Sequence, residues 1–134
     1  MVKLVKSIYT GSDVTSLGEL NATDSIDQGI AGAITALTDA ATITPDLNAS
    51  NNFSVSLGGN RTLANPSNIT AGQSGSIFVT QDGTGSRTLA YGSYFKFVAG
   101  TAPTLSTAAA SVDRIDYVVA SATKIHAVDS LDVK

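Results

Sequence analysis

The stretch from Gly72 to Phe97, GQSGSIFVTQDGTGSRTLAYGSYFKF, constrains the fold most. Ser76 to Thr80 is a run of β-branched and aromatic residues beside glycine, Asp82-Gly83-Thr84-Gly85 is dense in turn formers, and Arg87 to Tyr91 resumes an extended pattern. Strand, turn and strand in that order predict a β-hairpin. Asn52 to Leu57 carries the same signal: Phe53, Val55 and Leu57 alternate with Asn52, Ser54 and Ser56, the period of a half-buried strand. Gly58-Gly59-Asn60 turns the chain, Thr62 to Ala64 is a short strand, and Asn65-Pro66-Ser67-Asn68 turns it again.

The remaining β signals extend to both ends. Tyr94 to Val98 is predicted as an edge or rim strand, its aromatics capping a core and Lys96 guarding the edge. Ala99 to Ser111, small and polar with Pro103, is a loop; Arg114 to Val119 and Lys124 to Val128 form a second hairpin around Ala120 to Thr123. At the start, Val2 to Tyr9 is a strand, and Val14 to Asp27 has apolar residues too sparse for a core of its own. Residues 29 to 41 admit two readings. Ile30, Ile34, Leu37 and Ala41 have the spacing of an amphipathic helix capped by Asp27, whereas Gly29 and Gly32 weaken a helix; the alternative is a strand at Ala33 to Leu37, a turn at Thr38 to Ala40 and a strand from Ala41 to Asp46. The whole predicts an all-β chain: an extended N-terminal arm (residues 1–28) and an antiparallel β-sandwich or jelly-roll-like domain (residues 29–134). Arg61-Thr62-Leu63-Ala64 recurs as Arg87-Thr88-Leu89-Ala90, 26 residues on, which is too little to predict a solenoid.

Composition narrows the classes of function. The 134 residues fit one domain, and charged residues are only 14%, with Ser, Thr, Asn, Gly and Ala filling the difference, so the surface is polar and weakly charged. Net charge is -3 and the eight Lys and Arg are scattered, which argues against nucleic acid as a partner. There is no cysteine, and hence no disulfide, thiolate metal site or cysteine nucleophile. No apolar run has the length of a signal peptide or a membrane span, so synthesis in a cytoplasm and no membrane partner are expected.

Residues suited to chemistry are few. His126 is the only histidine, on a predicted strand, so neither a triad nor a multi-histidine metal site can be assembled; it reads as a surface or interface residue. Asp24 and Asp27, Asp113 and Asp116, and Asp129 and Asp132 are each three apart, a spacing that sends strand partners to opposite faces, and they read as solvated or salt-bridged, with a cross-strand pair to Arg114 expected. Asp82-Gly83-Thr84-Gly85 lacks the lysine and helix of a phosphate cradle and reads as a turn. The glycosylation sequons at Asn21, Asn48, Asn52, Asn60 and Asn68 read as accidents of composition. Tyr91, Tyr94, Phe95 and Phe97 cluster, which suits either core capping or stacking on a sugar; Tyr91 and Tyr94 are the candidate ligand-facing aromatics. No catalytic, metal or cofactor-binding residue is predicted, and no enzymatic activity.

Several stretches together resemble the β-domains of tailed-bacteriophage virion proteins: Asn52 to Pro66, Ala71 to Phe78, Gln81 to Gly92, Gly100 to Leu105 and Val112 to Tyr117, with Ile8 to Glu19 similar to an attachment segment. The resemblance implies a non-enzymatic virion component, commonly trimeric, found in tail fibres and in small head or tail accessory proteins. With about thirty residues of lead-in and one β-domain, a capsid decoration (cement) protein is the first expectation, on the capsid surface, with the major capsid protein and its own copies in a homotrimer as partners. The N-terminal segment would clamp the lattice by adding a strand, with Val2, Leu4, Val5, Ile8, Tyr9, Val14 and Leu17 as the assembly interface. The alternative is a tail-fibre or tail-tip module that recognises a host surface glycan.

Overall fold

A computed structural model describes residues 5–10, 13–19 and 32–134, the first two stretches as backbone strands. The chain divides into two compact units, Met1–Ala31 and Gly32–Lys134. In the first, β1 (Val5–Thr10) pairs antiparallel with β2 (Asp13–Glu19), from Val5 opposite Glu19 to Thr10 opposite Asp13, with a register shift between Ile8 and Tyr9. The sequence reading had a lone strand followed by an irregular stretch. Pairing back on itself gives the backbone N–H and C=O groups of both segments partners that a single extended strand lacks. The rest of that expected arm, Val2, Leu4 and residues 20–28 included, lies outside the described residues, as do residues 29–31.

The second unit is all-β apart from one short 3-10 helix, Val98–Gly100, and the strand reading of residues 33–46 is the one realised. Among the described residues no helix is long and apolar enough to cross a membrane. Strands β3 (Ile34–Ala36), β5 (Asn52–Leu57) and β7 (Ser74–Gln81) lie side by side and parallel; so do β4 (Thr42–Ile43), β6 (Arg61–Leu63) and β8 (Leu89–Tyr91) in a second sheet. The chain therefore alternates between two sheets, each passage through both making one rung of a short parallel coil. Beyond β7 the first sheet continues antiparallel through β10 (Val112–Ser121) and β11 (Lys124–Ser130), and β9 (Phe95–Lys96) closes its edge parallel to β11.

Two expectations are corrected here. The domain is not antiparallel throughout and does not have jelly-roll connectivity, because five of its seven strand pairings are parallel. The segments around Asp82 to Gly85 do not form a hairpin either. Both edges of β7 are taken, by β5 and by β10, so β8 has no place beside it and joins β6 in the other sheet. The loop between them is fixed locally. Asp82 Oδ1 accepts the N–H groups of Thr84 and Gly85, both at 2.9 Å, and the buried Gln81 side chain pairs with the Arg87 backbone by donating to its carbonyl at 2.9 Å and accepting from its N–H at 2.8 Å. The hairpin of β10 and β11 is as the sequence predicted.

Period 2 decides what is buried. Phe53, Val55 and Leu57 of β5, Ile77 and Val79 of β7, Ile115, Tyr117 and Val119 of β10, and Ile125 and Ala127 of β11 point inward onto Ile43, Leu63 and Leu89 of the smaller sheet. Fully burying a side chain of this size stabilises by about 1.5–3 kcal/mol, so this single cluster accounts for most of the driving force. Asparagine side chains then tie rung to rung: Asn52 Oδ1 accepts from Ser76 N at 3.1 Å, Asn60 Oδ1 from Thr88 N at 3.1 Å, and Asn68 Nδ2 donates to Asp46 Oδ1 at 2.7 Å. These residues, read as accidental sequons, each give a backbone or side-chain polar group in a neighbouring rung its partner. Asn21 lies outside the described residues. At Gly75 the coil needs the absence of a side chain: a methyl group there would overlap the Asn51 carbonyl.

Candidate functional site

The edge formed by β9 and the 3-10 helix stands as a ridge between two grooves. Phe95 and Phe97 are two residues apart on an extended backbone, so both rings fall on one side and Lys96 on the other. The Phe97 ring meets Tyr91 edge-on at 4.7 Å between centroids, Phe95 meets Tyr91 edge-on at 5.9 Å, and Phe95 and Phe97 stack at 6.5 Å. Such pairs hold ring geometry as well as burying area. The backbone then turns sharply, with Ala99 at φ 55° and Gly100 at φ 73°, which leaves Val98 75% exposed on the crest.

On the sheet side of the ridge lies a groove of about 440 Å³, lined by Lys96, Phe97, Val98, Asp116, Val118 and His126. Lys96 stands directly opposite His126 in the β9–β11 register, and Val118 directly opposite His126 in the β10–β11 register. Val118 and Val128 are each about half exposed on that face, at 52% and 51%. Asp116 is held on two sides: Ser76 Oγ donates to Oδ1 at 2.6 Å, and Arg114 Nε and Nη2 donate to Oδ2 at 3.1 and 2.9 Å. Arg114 thus pairs within its own strand, two residues away and on one face, and not across strands as expected. On the far side of the ridge a second groove, about 570 Å³, is lined by Tyr91, Gly92, Ser93, Lys96, Phe97 and Gly100 among others. Lys96 and Phe97 belong to both.

The residues predicted from sequence fall in different places. Tyr91 lines the second groove, but its ring is packed into the aromatic cluster, and its hydroxyl is buried without a hydrogen-bond partner among the described residues. Burial, and behind it the charges of Asp129 and Asp113, push that hydroxyl far above the usual tyrosine range. Tyr94 is half-buried against the core, its N–H donating to Asn65 Oδ1 at 2.9 Å and its carbonyl accepting from Ile125 N at 2.9 Å. Val5, Ile8, Tyr9, Val14 and Leu17 lie on the β1–β2 ladder of the first unit; Val2 and Leu4 lie outside the described residues. His126 is exposed, as read.

Among the aspartates, Asp24 and Asp27 lie outside the described residues. Asp113 is neither solvated nor ion-paired: it is 1% exposed and accepts the N–H groups of Ser106 and Asp132, both at 2.8 Å. Asp132 pairs with Lys134 at 2.6 Å. No group of three or more His, Cys, Asp or Glu gathers to hold a metal among the described residues. Sequence reasoning placed Phe97 in the aromatic cluster but missed the exposure of Val98 and Val118 and the apposition of Lys96 with His126. Alternation at Tyr94 to Val98 signalled which way each side chain points; the register that brings position 96 to position 126 has no local signature.

Compared with known families, residues 43–123 match the family model described as "Putative phage tail fibre C-terminal domain". No curated protein and no solved structure matches the chain.

Proposed function

Since that match spans more than half of its residues, the chain belongs to the phage tail fibre C-terminal domain family, and from this premise we propose that it is a receptor-binding module recognising a host surface glycan. A phage structural protein of tail-fibre type is virion-associated, and the family draws the reading toward the tail. The expectation of a cement protein bound to the major capsid protein on the capsid surface gains no support from it.

The observation that carries the proposal is the ridge itself: an aromatic edge, Phe97 with exposed Val98, flanked on both sides by grooves that also present hydrogen-bonding groups at Lys96, Ser93 and His126. Sugars offer an apolar C–H face and a ring of hydroxyls, and such a ridge answers both. The module acts by binding and not by catalysis. A homotrimer would present three such ridges to one surface, and several weak contacts then act together. Ile34, 58% exposed on the edge strand β3, lies far along the sheet order from the ridge and is left available for association between copies.

The test is binding of the purified protein to host cells and to host cells stripped of surface polysaccharide. The proposal expects retention on the first and not on the second, with Phe97→Ala lowering retention about fivefold or more, the loss of one stacked ring being worth about 1 kcal/mol or more. Equal retention on both cell types contradicts it.

A further inference from the structure

The described cations are not distributed alike. Arg61 pairs with Asp39 at 2.6 Å, Arg87 with Asp82 at 2.7 Å, Arg114 with Asp116 at 2.9 Å and Lys134 with Asp132 at 2.6 Å. Lys96 and Lys124 have no carboxylate within ion-pairing distance among the described residues, and both lie on the β9–β11 edge. Lys96 is register partner to His126, and Lys124 is two residues before His126 on the same exposed face of β11. In a chain of net charge -3, the two described cations without a carboxylate partner lie on the one sheet edge that borders the groove.

The carboxylate in that groove does not compensate them. Asp116 is already engaged by Ser76 and by both donors of Arg114, so its charge is spent within the sheet face. Lys96 Nζ is anchored by one bond to the Ser93 carbonyl at 2.7 Å. An ammonium has three donors, so two remain to be given outward, from a head group whose position is fixed. Next to it Val98 and Val118 present exposed apolar surface to the groove.

We infer that the groove beside β9 takes an anionic sugar, its carboxylate or phosphate held between Lys96 and His126 and its ring against Val118 and Val98. This rests on the receptor-binding reading and names the ligand class for the same ridge. A charged acceptor makes shorter bonds to Lys, about twice as strong as a neutral hydroxyl does, so the anion and not the hydroxyls sets the preference. Lys124 adds to the field that draws the anion in, a contribution that salt screens.

The experiment uses the full chain on an array of neutral glycans, the same glycans bearing a carboxylate, and the same glycans bearing a phosphate. The variants are Lys96→Glu, Lys96→Arg and Lys124→Glu, each checked for an unchanged melting temperature, since these side chains are exposed. The inference expects carboxylate- or phosphate-bearing glycans to bind at least about tenfold more tightly than their neutral counterparts, a difference near 1.4 kcal/mol. Lys96→Glu removes that preference, Lys96→Arg keeps most of it, and Lys124→Glu weakens binding mainly at low salt. Which of the two anionic arms binds identifies the source of the charge. Equal binding of neutral and anionic forms, or a preference that Lys96→Glu leaves intact, overturns the inference while the receptor-binding reading stands. Binding to no glycan at all overturns both.

Discussion

One carboxylate fastens the C-terminal end of the domain to the loop before it. Asp113 is buried and accepts N–H groups from Ser106 and Asp132, so Asp113→Ala removes the acceptor of two partly buried donors and leaves a cavity. The expected cost is about 3 kcal/mol, read as a lowered denaturation midpoint. Tyr91 is the opposite case. Its hydroxyl is buried without a partner among the described residues, so Tyr91→Phe keeps the aromatic contacts and removes the burden; stability holds or rises by up to about 1 kcal/mol, and a loss larger than that would show that the hydroxyl is bonded. Asp82 gives a pH dependence. The Arg87 guanidinium, first, and the N–H groups of Gly85 and Thr84 lower its carboxyl to about 2 from an ordinary 3.8. The folded state therefore holds the proton less tightly than the unfolded one. The stabilisation is fully present above pH 4 or so and is lost as pH falls toward about 2. Asp82→Asn should flatten the melting temperature across that window; an unchanged slope would put the acid sensitivity elsewhere.

At the scale of elements, the parallel coil depends on close approach at Gly75. Gly75→Ala should destabilise by more than about 2 kcal/mol, because the clash is with the Asn51 backbone and cannot be relieved by a rotamer. Strands themselves were legible: Asn52 to Leu57 and Arg114 to Val119 alternate so regularly that strand, inward face and core follow directly. Which strand lies beside which was not, since period 2 specifies a face and carries no address for the partner. The turn formers at Asp82 to Gly85 suggested a hairpin because nothing local says that β7 is already paired on both edges. The Arg-Thr-Leu-Ala echo, too short to predict a solenoid, falls on neighbouring strands of the smaller sheet but out of step: Arg61 lies beside Leu89 and not Arg87, and Leu63 and Leu89 both face the core. Of the candidate site, the aromatic cluster was visible in sequence: Tyr91 and Phe97 are both half-buried against the core, and Val98 beside them is the exposed residue.

At the scale of the whole molecule, the sequence is weakly charged and rich in Ser, Thr and Asn, and in the second unit the ridge on β9 stands out between two grooves. On the proposed reading such a domain meets its target as a surface, and modest affinity per site would be amplified by the number of copies presented. The measurement that tests this account most directly is adsorption of the parent virion to host cells preincubated with the purified protein. Saturating protein should slow adsorption in a dose-dependent way, and Phe97→Ala protein should fail to do so at the same concentrations. Adsorption at the unaltered rate in the presence of saturating, folded wild-type protein would contradict receptor recognition by this domain.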